Sequence, residues 1–444
     1  MAKIDKLTEK KIEIQPNIIV EEKFKKAQSA FLDYAARKGL SFLNGEGGIS
    51  LKEKALKEEE FILEISESGV EVYAATEKGA HNAFATILQK MEVEGGKIMM
   101  PEGSYSENPD CEFRCMMVDV GRNWHPFEYL LKYVDLCYEN KAKYVQIHFA
   151  ENESVTLHFE CLPNLATDGR CYSKAQIAML NEYAKDRGII IIPEVDLPGH
   201  TQHFCDKHPE IFGTLGVLPA SDEVFAVLKK LYEELFEMFP DSPLVHIGGD
   251  EAAIDRWENC DKTKAYMAKM GYKDFDETYA EYIATVTNMI LDMGRTPIVW
   301  EGFKKEFNDR ISKDVLVMVW ECAYQMPEEL IASGFKIINV SWTPLYILSQ
   351  PDYVPYEAKW WTVEEVDAWR PWKWKHWLPV SKATPNGYDI DRNDEMIIGG
   401  MLCAWGDRLK AFRKGDLIDG LDKEYRLLKE RMPALMNRLI TIDD

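Results

Sequence analysis

Asp250 and Glu251 are adjacent carboxylates that follow two glycines at the end of an apolar run, Leu244-Val-His-Ile-Gly-Gly-Asp-Glu251. Two carboxylates at a strand's carboxyl end can divide the work of acid–base chemistry. One holds a proton to give away, and the other stays charged and steadies a cation. Successive residues of a regular strand face opposite ways, so both reach one pocket only if the chain bends, as Gly248 and Gly249 permit. The alternative reading is a helix N-terminus, where acidic side chains are favoured and Ala252-Ala253-Ile254 would follow. Upstream, Ile192-Pro-Glu-Val-Asp-Leu-Pro-Gly-His200 carries Glu194, Asp196 and His200 past a second apolar run. His200 and His203 form an H-x-x-H that, with Glu194 and Asp196, could be imagined around a metal ion. The Pro198-Gly199 turn works against the helical i, i+3 geometry this would use, so no metal is expected.

The elements that must position these groups form a regular alternation from Cys111 onward. Strand-like runs fall at Cys115–Val120, Tyr144–Phe149, Ile189–Val195, Leu244–Ile247, Pro297–Trp300, Val315–Trp320, Lys336–Val340 and Met396–Trp405. Helical spacing separates most of them: Pro126–Tyr138, Ser173–Arg187, Asp222–Met238, Glu277–Asp292 and Met326–Ala332. Eight such runs predict an α/β fold, a (β/α)8 TIM barrel. The seventh connection, about 341 to 395, is long and irregular, which usually marks function. Ahead of the barrel the sequence predicts a small α/β (α+β) domain. It has a helix over Glu21–Lys38, strands at Phe61–Ile65 and Val70–Ala75, and a helix from the Thr76 cap to about Met91. Pro101–Asp110, rich in Pro, Gly, Ser and Asn, reads as a linker. The expected division is 1–110 as a supporting unit and 111–444 as the catalytic barrel.

The chain has 444 residues, 46% apolar and 29% charged, which is ordinary for a globular protein with a sizeable core. A formal net charge of −22 argues against nucleic acid and anionic membranes as partners. No apolar run reaches the roughly 18–20 residues that span a bilayer. The first residues lack the apolar segment of a secretory signal, so a cytoplasmic location is expected. Nine cysteines without a Cys-x-x-Cys pair read as free thiols.

The polar and aromatic residues just past the strands are Arg122, His148 with Glu151, Glu194 with Asp196 and His200, and Asp250 with Glu251. Trp300 with Glu301, Trp320 with Glu321, Tyr346, and Trp405 with Asp407 follow. Carboxylates, an arginine and tryptophans converging on one barrel face suggest a carbohydrate pocket. Aromatic faces pack on pyranose rings, and charged groups hold hydroxyls by strong hydrogen bonds. Any one of the tryptophans taken alone is more often core.

These residues carry a resemblance. Leu244–Glu251 and the Ile192–His200 stretch are similar to the signature of glycoside hydrolase family 20, the β-N-acetylhexosaminidases. Phe113-Arg-Cys-Met-Met-Val-Asp-Val-Gly-Arg122 resembles that family's first barrel strand. Trp300, Trp320 and Gly399-Gly-Met-Leu-Cys-Ala-Trp-Gly-Asp407 resemble later ones. The resemblance implies exo-acting, retaining hydrolysis of terminal β-linked N-acetylhexosaminides, in which the substrate's own acetamide oxygen is the nucleophile. No cofactor is implied. Glu251 would be the general acid, and for that it needs a raised pKa. Asp250 would hold the acetamide N–H, and Tyr346 would donate to the acetamide oxygen. His200 would belong to a relay beside Glu251, with Glu151 on its far nitrogen. Trp300, Trp320 and Trp405 would wall the sugar, and Arg122 and Asp407 would bind its hydroxyls. His148 falls with this substrate-binding set.

The chain departs from the family pattern in three places. Glu151-Asn152 stands where an Asp-Asp pair is usual, Leu348 replaces an Asp that reaches the O4/O6 side, and Asp407 replaces a Glu. The choice between GlcNAc and GalNAc is therefore open. Six of the 12 tryptophans (Trp360, Trp361, Trp369, Trp372, Trp374 and Trp377) crowd the seventh connection. They read as a rim for the leaving sugar, or equally as internal packing or a homo-oligomer contact. The competing function is a catalytically idle carbohydrate-binding protein on the same barrel.

Overall fold

The computed structural model describes residues 3–348, 361–376, 378–406 and 417–442. Eight parallel strands close on themselves: Phe113–Asp119, Tyr144–His148, Ile190–Glu194, Leu244–His246, Thr296–Trp300, Leu316–Val319, Ile337–Asn339 and Ile397–Trp405. They are called barrel strands one to eight. Each pairs with its sequence neighbour, and strand eight pairs with both strand seven and strand one. The barrel expectation therefore holds, with strand limits within a few residues of the hydrophobic runs. Alternate residues of these strands fill an interior cluster of Met117, Ile192, Ile298, Met318 and Met401, closed at the carboxyl end by Trp300, Trp320, Tyr346 and Trp405.

The helices between strands bury one apolar stripe each. Asp222–Met238 shows the sequence logic. Ser221 caps it by accepting from Val224 N, Asp222 and Glu223 sit in its first turn, and Val224, Leu228, Leu231 and Leu235 face inward. A helix at Leu417–Ile440 closes the described chain and hydrogen-bonds back to the start of the barrel through Asp110 and Cys111. Among the described residues no helix is long and apolar enough to cross a membrane. All nine cysteines are free.

The N-terminal unit is a mixed sheet with helices Lys25–Arg37 and Glu77–Lys90 on it. The expected linker at Pro101–Asp110 is instead mostly strand: Lys97–Glu107 lies between Lys3–Ile14 and Phe61–Ser66. Its punctuating residues mark a bulge rather than a loop. The register with the first strand shifts between Leu7 and Lys11, and those residues pair with Gly103 and Pro101. Two buried ion pairs join the unit to the barrel. Arg114 of strand one meets Glu59, and Lys141 meets Glu107 at 2.7 Å.

Candidate active site

Strands one to four end in a row of buried polar residues. Asp119, His148, Glu194 and His246 stand in register across neighbouring strands. Glu194 is the hub. It accepts from Gln146 Nε2 and Trp300 Nε1, both at 2.8 Å, and lies 3.0 Å from His148 Nδ1 and 3.1 Å from His246 Nδ1. Burial opposes its charge, yet the two histidines hold its carboxyl well below the usual range.

Past strand four the chain turns sharply. Gly248 and Gly249 adopt φ of +75° and +98°, and Glu251 itself sits at +43°. This is the bend that the glycines suggested, and the helix that follows is only a short 3-10 segment at Ile254–Asn259. Gly248 is required for space as well: a Cβ there would lie 1.7 Å from Asp196 Oδ1. Gly249 N donates to that same oxygen at 3.2 Å, so Asp196 braces the turn. Asp250 becomes buried beside Asp196, while the Glu251 side chain stays 60% exposed at the mouth.

His200, at φ +52° after the Pro198-Gly199 turn, brings the two halves together. Its Nε2 is 3.5 Å from Glu251 Oε2 and 3.9 Å from Asp250 Oδ2, and its Nδ1 is 2.7 Å from Glu151 Oε1. Glu151, a methylene longer than Asp, thus reaches His200 directly. Its Oε1 also meets Arg122 Nη2 at 2.5 Å. Arg122 is braced in turn by Asp119 at 2.9 Å and lies over the Trp405 ring, 5.1 Å from its centroid.

The protonation pattern follows from these contacts. Burial opposes the charge of His200, but Asp196 and Glu151 hold its imidazole well above the ordinary value. Burial also opposes Glu151, which Arg122 and His200 keep well below the carboxylate range. Burial and then the neighbouring Asp250 charge push the Asp196 carboxyl well up, so the two carboxyls titrate as a coupled pair. Asp250 is raised by burial, with His200 opposing. Glu251 differs from the sequence expectation of a raised pKa. In the open site a hydrogen bond with His200 lowers it, against burial.

The aromatic residues pack against this polar row, with Trp405 5.3 Å from His148 and Trp300 4.6 Å from His246 between ring centroids. Tyr346 and Trp320 stack with ring planes 5° apart, and Trp405 lies 5.8 Å from both Tyr346 and Trp300. His148 was grouped with the substrate-binding residues, but it has no exposed surface. It stands between Glu151 and Glu194 and packs on Trp405, 5.3 Å between ring centroids. Asp407, Trp360 and Trp377 lie outside the described residues. Of the other loop tryptophans, Trp374 is fully buried and donates to Val319 O at 3.0 Å, and Trp369 packs on Gly400. These two anchor the loop and are not a rim. Sequence reasoning missed His246 and Trp342, the latter 4.5 Å from Tyr346. His246 sits in the very run that drew attention, but its in-register neighbours are visible only once strands pair.

Glu151, Asp196 and His200 offer ligand atoms close enough to one another for a metal, as do His200, Asp250 and Glu251. The direct His200–Glu151 contact and the charged pairing of Arg122 with Glu151 account for the first set without an ion.

Residues 111–414 match the model of "Glycosyl hydrolase family 20, catalytic domain". The chain is 25% identical over 339 residues to a β-hexosaminidase of Vibrio furnissii, covering 68% of this chain and 55% of that one. It is 26% identical over 357 residues to human β-hexosaminidase subunit beta, covering 75% and 59%. The chain thus spans less than two thirds of the length of these relatives. Its fold is shared with the exo-β-N-acetylglucosaminidase of Vibrio harveyi, at a TM-score of 0.77 and 20% identity over 98% of this chain and 76% of that one. Streptomyces plicatus β-hexosaminidase shares it at a TM-score of 0.74 and 18% identity, over 98% and 88%.

Proposed function

The chain belongs to glycosyl hydrolase family 20, and from that premise we propose that it is a retaining, exo-acting β-N-acetylhexosaminidase that uses the substrate's acetamide as nucleophile. One observation carries the reading. Asp250 Oδ1 is buried and has no hydrogen-bond partner among the described residues. An orphaned, buried carboxylate oxygen is costly unless a ligand completes it. An acetamide N–H is the donor that fits, and the negative Asp250 would then stabilise the oxazolinium that forms when the acetamide oxygen attacks the anomeric carbon. Tyr346 would donate to that oxygen, and Trp300, Trp320 and Trp405 would enclose the sugar. Arg122 and Asp407 would hold its hydroxyls.

Glu251 would protonate the departing oxygen and then take a proton from water. In the open site the neighbouring His200 favours the charged form of Glu251, whose side chain is 60% exposed to water. A leaving group seated on Glu251 expels that water and raises its proton affinity, so the proton can pass across the 3.5 Å gap from His200. Glu151 would keep His200 charged and oriented.

The test is a panel of aryl β-glycosides of GlcNAc, GalNAc, glucose and galactose. Release from the two 2-acetamido sugars and almost none from the others is expected. Glu251→Gln should lower turnover by about 10²–10⁴ for poor leaving groups and by less for activated ones. Sugar binding without release from any of the four would instead favour the idle binding protein.

A further inference from the structure

Glu301, one residue past Trp300, is fully buried, and none of the chemistry above uses it. Its carboxylate accepts three backbone N–H groups from a single turn. Cys322 donates to Oε2 at 2.8 Å, and Tyr324 and Gln325 donate to Oε1 at 3.0 and 3.2 Å. The turn follows barrel strand six and holds Cys322 at φ +55°, a conformation that side-chain-bearing residues adopt at a cost. Glu301 is itself fixed, since its N donates to Met318 O at 2.8 Å and its O accepts from Trp320 Nε1 at 3.0 Å. Gln325 Nε2 ties the far side by donating to Phe303 O and Asn308 Oδ1, both at 3.1 Å. Charge-assisted bonds to a buried carboxylate are strong enough to hold a strained turn.

Two side chains of the turn, Glu321 and Tyr324, lie within electrostatic reach of Glu251. Gly302 packs directly against the Asp250 backbone, where a Cβ would lie 2.4 Å from Gly249 O and 3.4 Å from Asp250 Cα. The turn bonded to Glu301 is therefore next to the carboxylate pair. Its electrostatics agree: burial and then Glu301, Glu251 and Asp250 push the Glu321 carboxyl up to about 7. Burial and then Glu321, Asp250 and Glu251 push the Tyr324 hydroxyl up to about 12. Tyr324 is 40% exposed, unlike Trp300, Trp320 and Tyr346, which are nearly closed off. Glu251 is open to solvent at this same mouth, where a leaving group has to depart. An exposed aromatic face and a half-buried carboxyl offer stacking for one ring and a hydrogen bond for one hydroxyl.

We propose that the 321–325 turn is the shelf for the departing sugar, with Tyr324 under its ring and Glu321 on a hydroxyl, and that Glu301 is the positioning residue that holds both. The proposal rests on the N-acetylhexosaminidase reading. The experiment compares two substrates with the same non-reducing GlcNAc: its β-linked disaccharide, and its β-glycosyl fluoride, whose leaving atom is too small to touch the turn. In Tyr324→Ala the ratio of the two kcat/KM values, disaccharide over fluoride, should fall at least about tenfold, chiefly through the disaccharide KM. Glu301→Gln places an amide N–H against a backbone donor and should lower the ratio in the same sense. Tyr324 is exposed, so its variant tests the shelf even if Glu301→Gln does not fold. An unchanged ratio in Tyr324→Ala overturns the shelf. A lowered ratio there with an unchanged one in folded Glu301→Gln overturns the positioning role. A wild-type protein that cleaves neither substrate refutes the N-acetylhexosaminidase reading first, and the shelf with it.

Discussion

Glu151→Gln isolates the charge of the relay while keeping its shape. Glu151 is 1% exposed and shares Oε1 between His200 Nδ1 at 2.7 Å and Arg122 Nη2 at 2.5 Å. An amide oxygen can still accept from both. A hydrogen bond between charged groups is worth about 1.5–3 kcal/mol and a neutral one about 0.5–1.5, so the change costs His200 about 1–1.5 kcal/mol. That corresponds to about one pKa unit. The negative charge of Glu151 raises the proton affinity of both His200 and Glu251. Whichever of them carries the working proton, removing that charge must move the alkaline limb of kcat/KM to lower pH. The assay is kcat/KM on an aryl N-acetylglucosaminide between about pH 4 and 9, each profile scaled to its own plateau. Scaling makes the limb insensitive to how much variant is folded. A limb displaced by less than about 0.3 units, or displaced upward, would refute the claim that Glu151 acts through the His200–Glu251 pair.

Three further outcomes are expected. By the family likeness Leu348 takes the place of a carboxylate on the O4/O6 side, and on that reading GlcNAc and GalNAc aryl glycosides should differ by less than about 100-fold in kcat/KM. Leu348→Asp should widen that gap, and a wild-type preference above about 10³-fold would show another partner at O4. Gly248→Ala should abolish turnover and lower the melting temperature, because its Cβ meets Asp196 Oδ1 at 1.7 Å and its φ is +75°; normal turnover would contradict the bracing role of Asp196. His81 is 3% exposed, and burial drives its imidazole down to about 3. Its folded pKa lies below its unfolded one, so the unfolded chain binds the extra proton, and stability is lost as pH falls from about 6.5 toward 3. Between pH 7 and about 4.5 this amounts to roughly 2–3 kcal/mol, which His81→Phe should remove in urea titrations at the two pH values.

Much of this architecture is written as local pattern. The barrel strands are buried on both faces, so most appear as largely apolar runs with turn residues at their ends, and the eight could be counted in order. The Gly248–Glu251 bend was also legible, because two glycines ahead of two acids permit the bend that lets both reach one pocket. The N-terminal sheet was read less well. Lys3–Ile14 alternates weakly, with most residues exposed, and it is a strand because Lys97–Glu107 lies beside it. Pro101 and Gly103 look like loop residues until their partners show a bulge. The relay residues were named from the family likeness, but the hub role of Glu194 needs four strands in register and no single segment announces it. Glu301 has the same character: its three N–H donors lie 21 to 24 residues downstream.

The ion pairs that join the N-terminal sheet to the barrel limit how this chain can be divided. Arg114 and Lys141 belong to the barrel and are almost wholly buried, while Glu59 and Glu107 reach them from the sheet. Cutting at residue 111 would remove both carboxylates and open to water the face of the barrel that they and their sheet cover. The barrel is therefore built to be covered at that face. A foreign partner fused ahead of it would match that face only if it brought two carboxylates to the same two places.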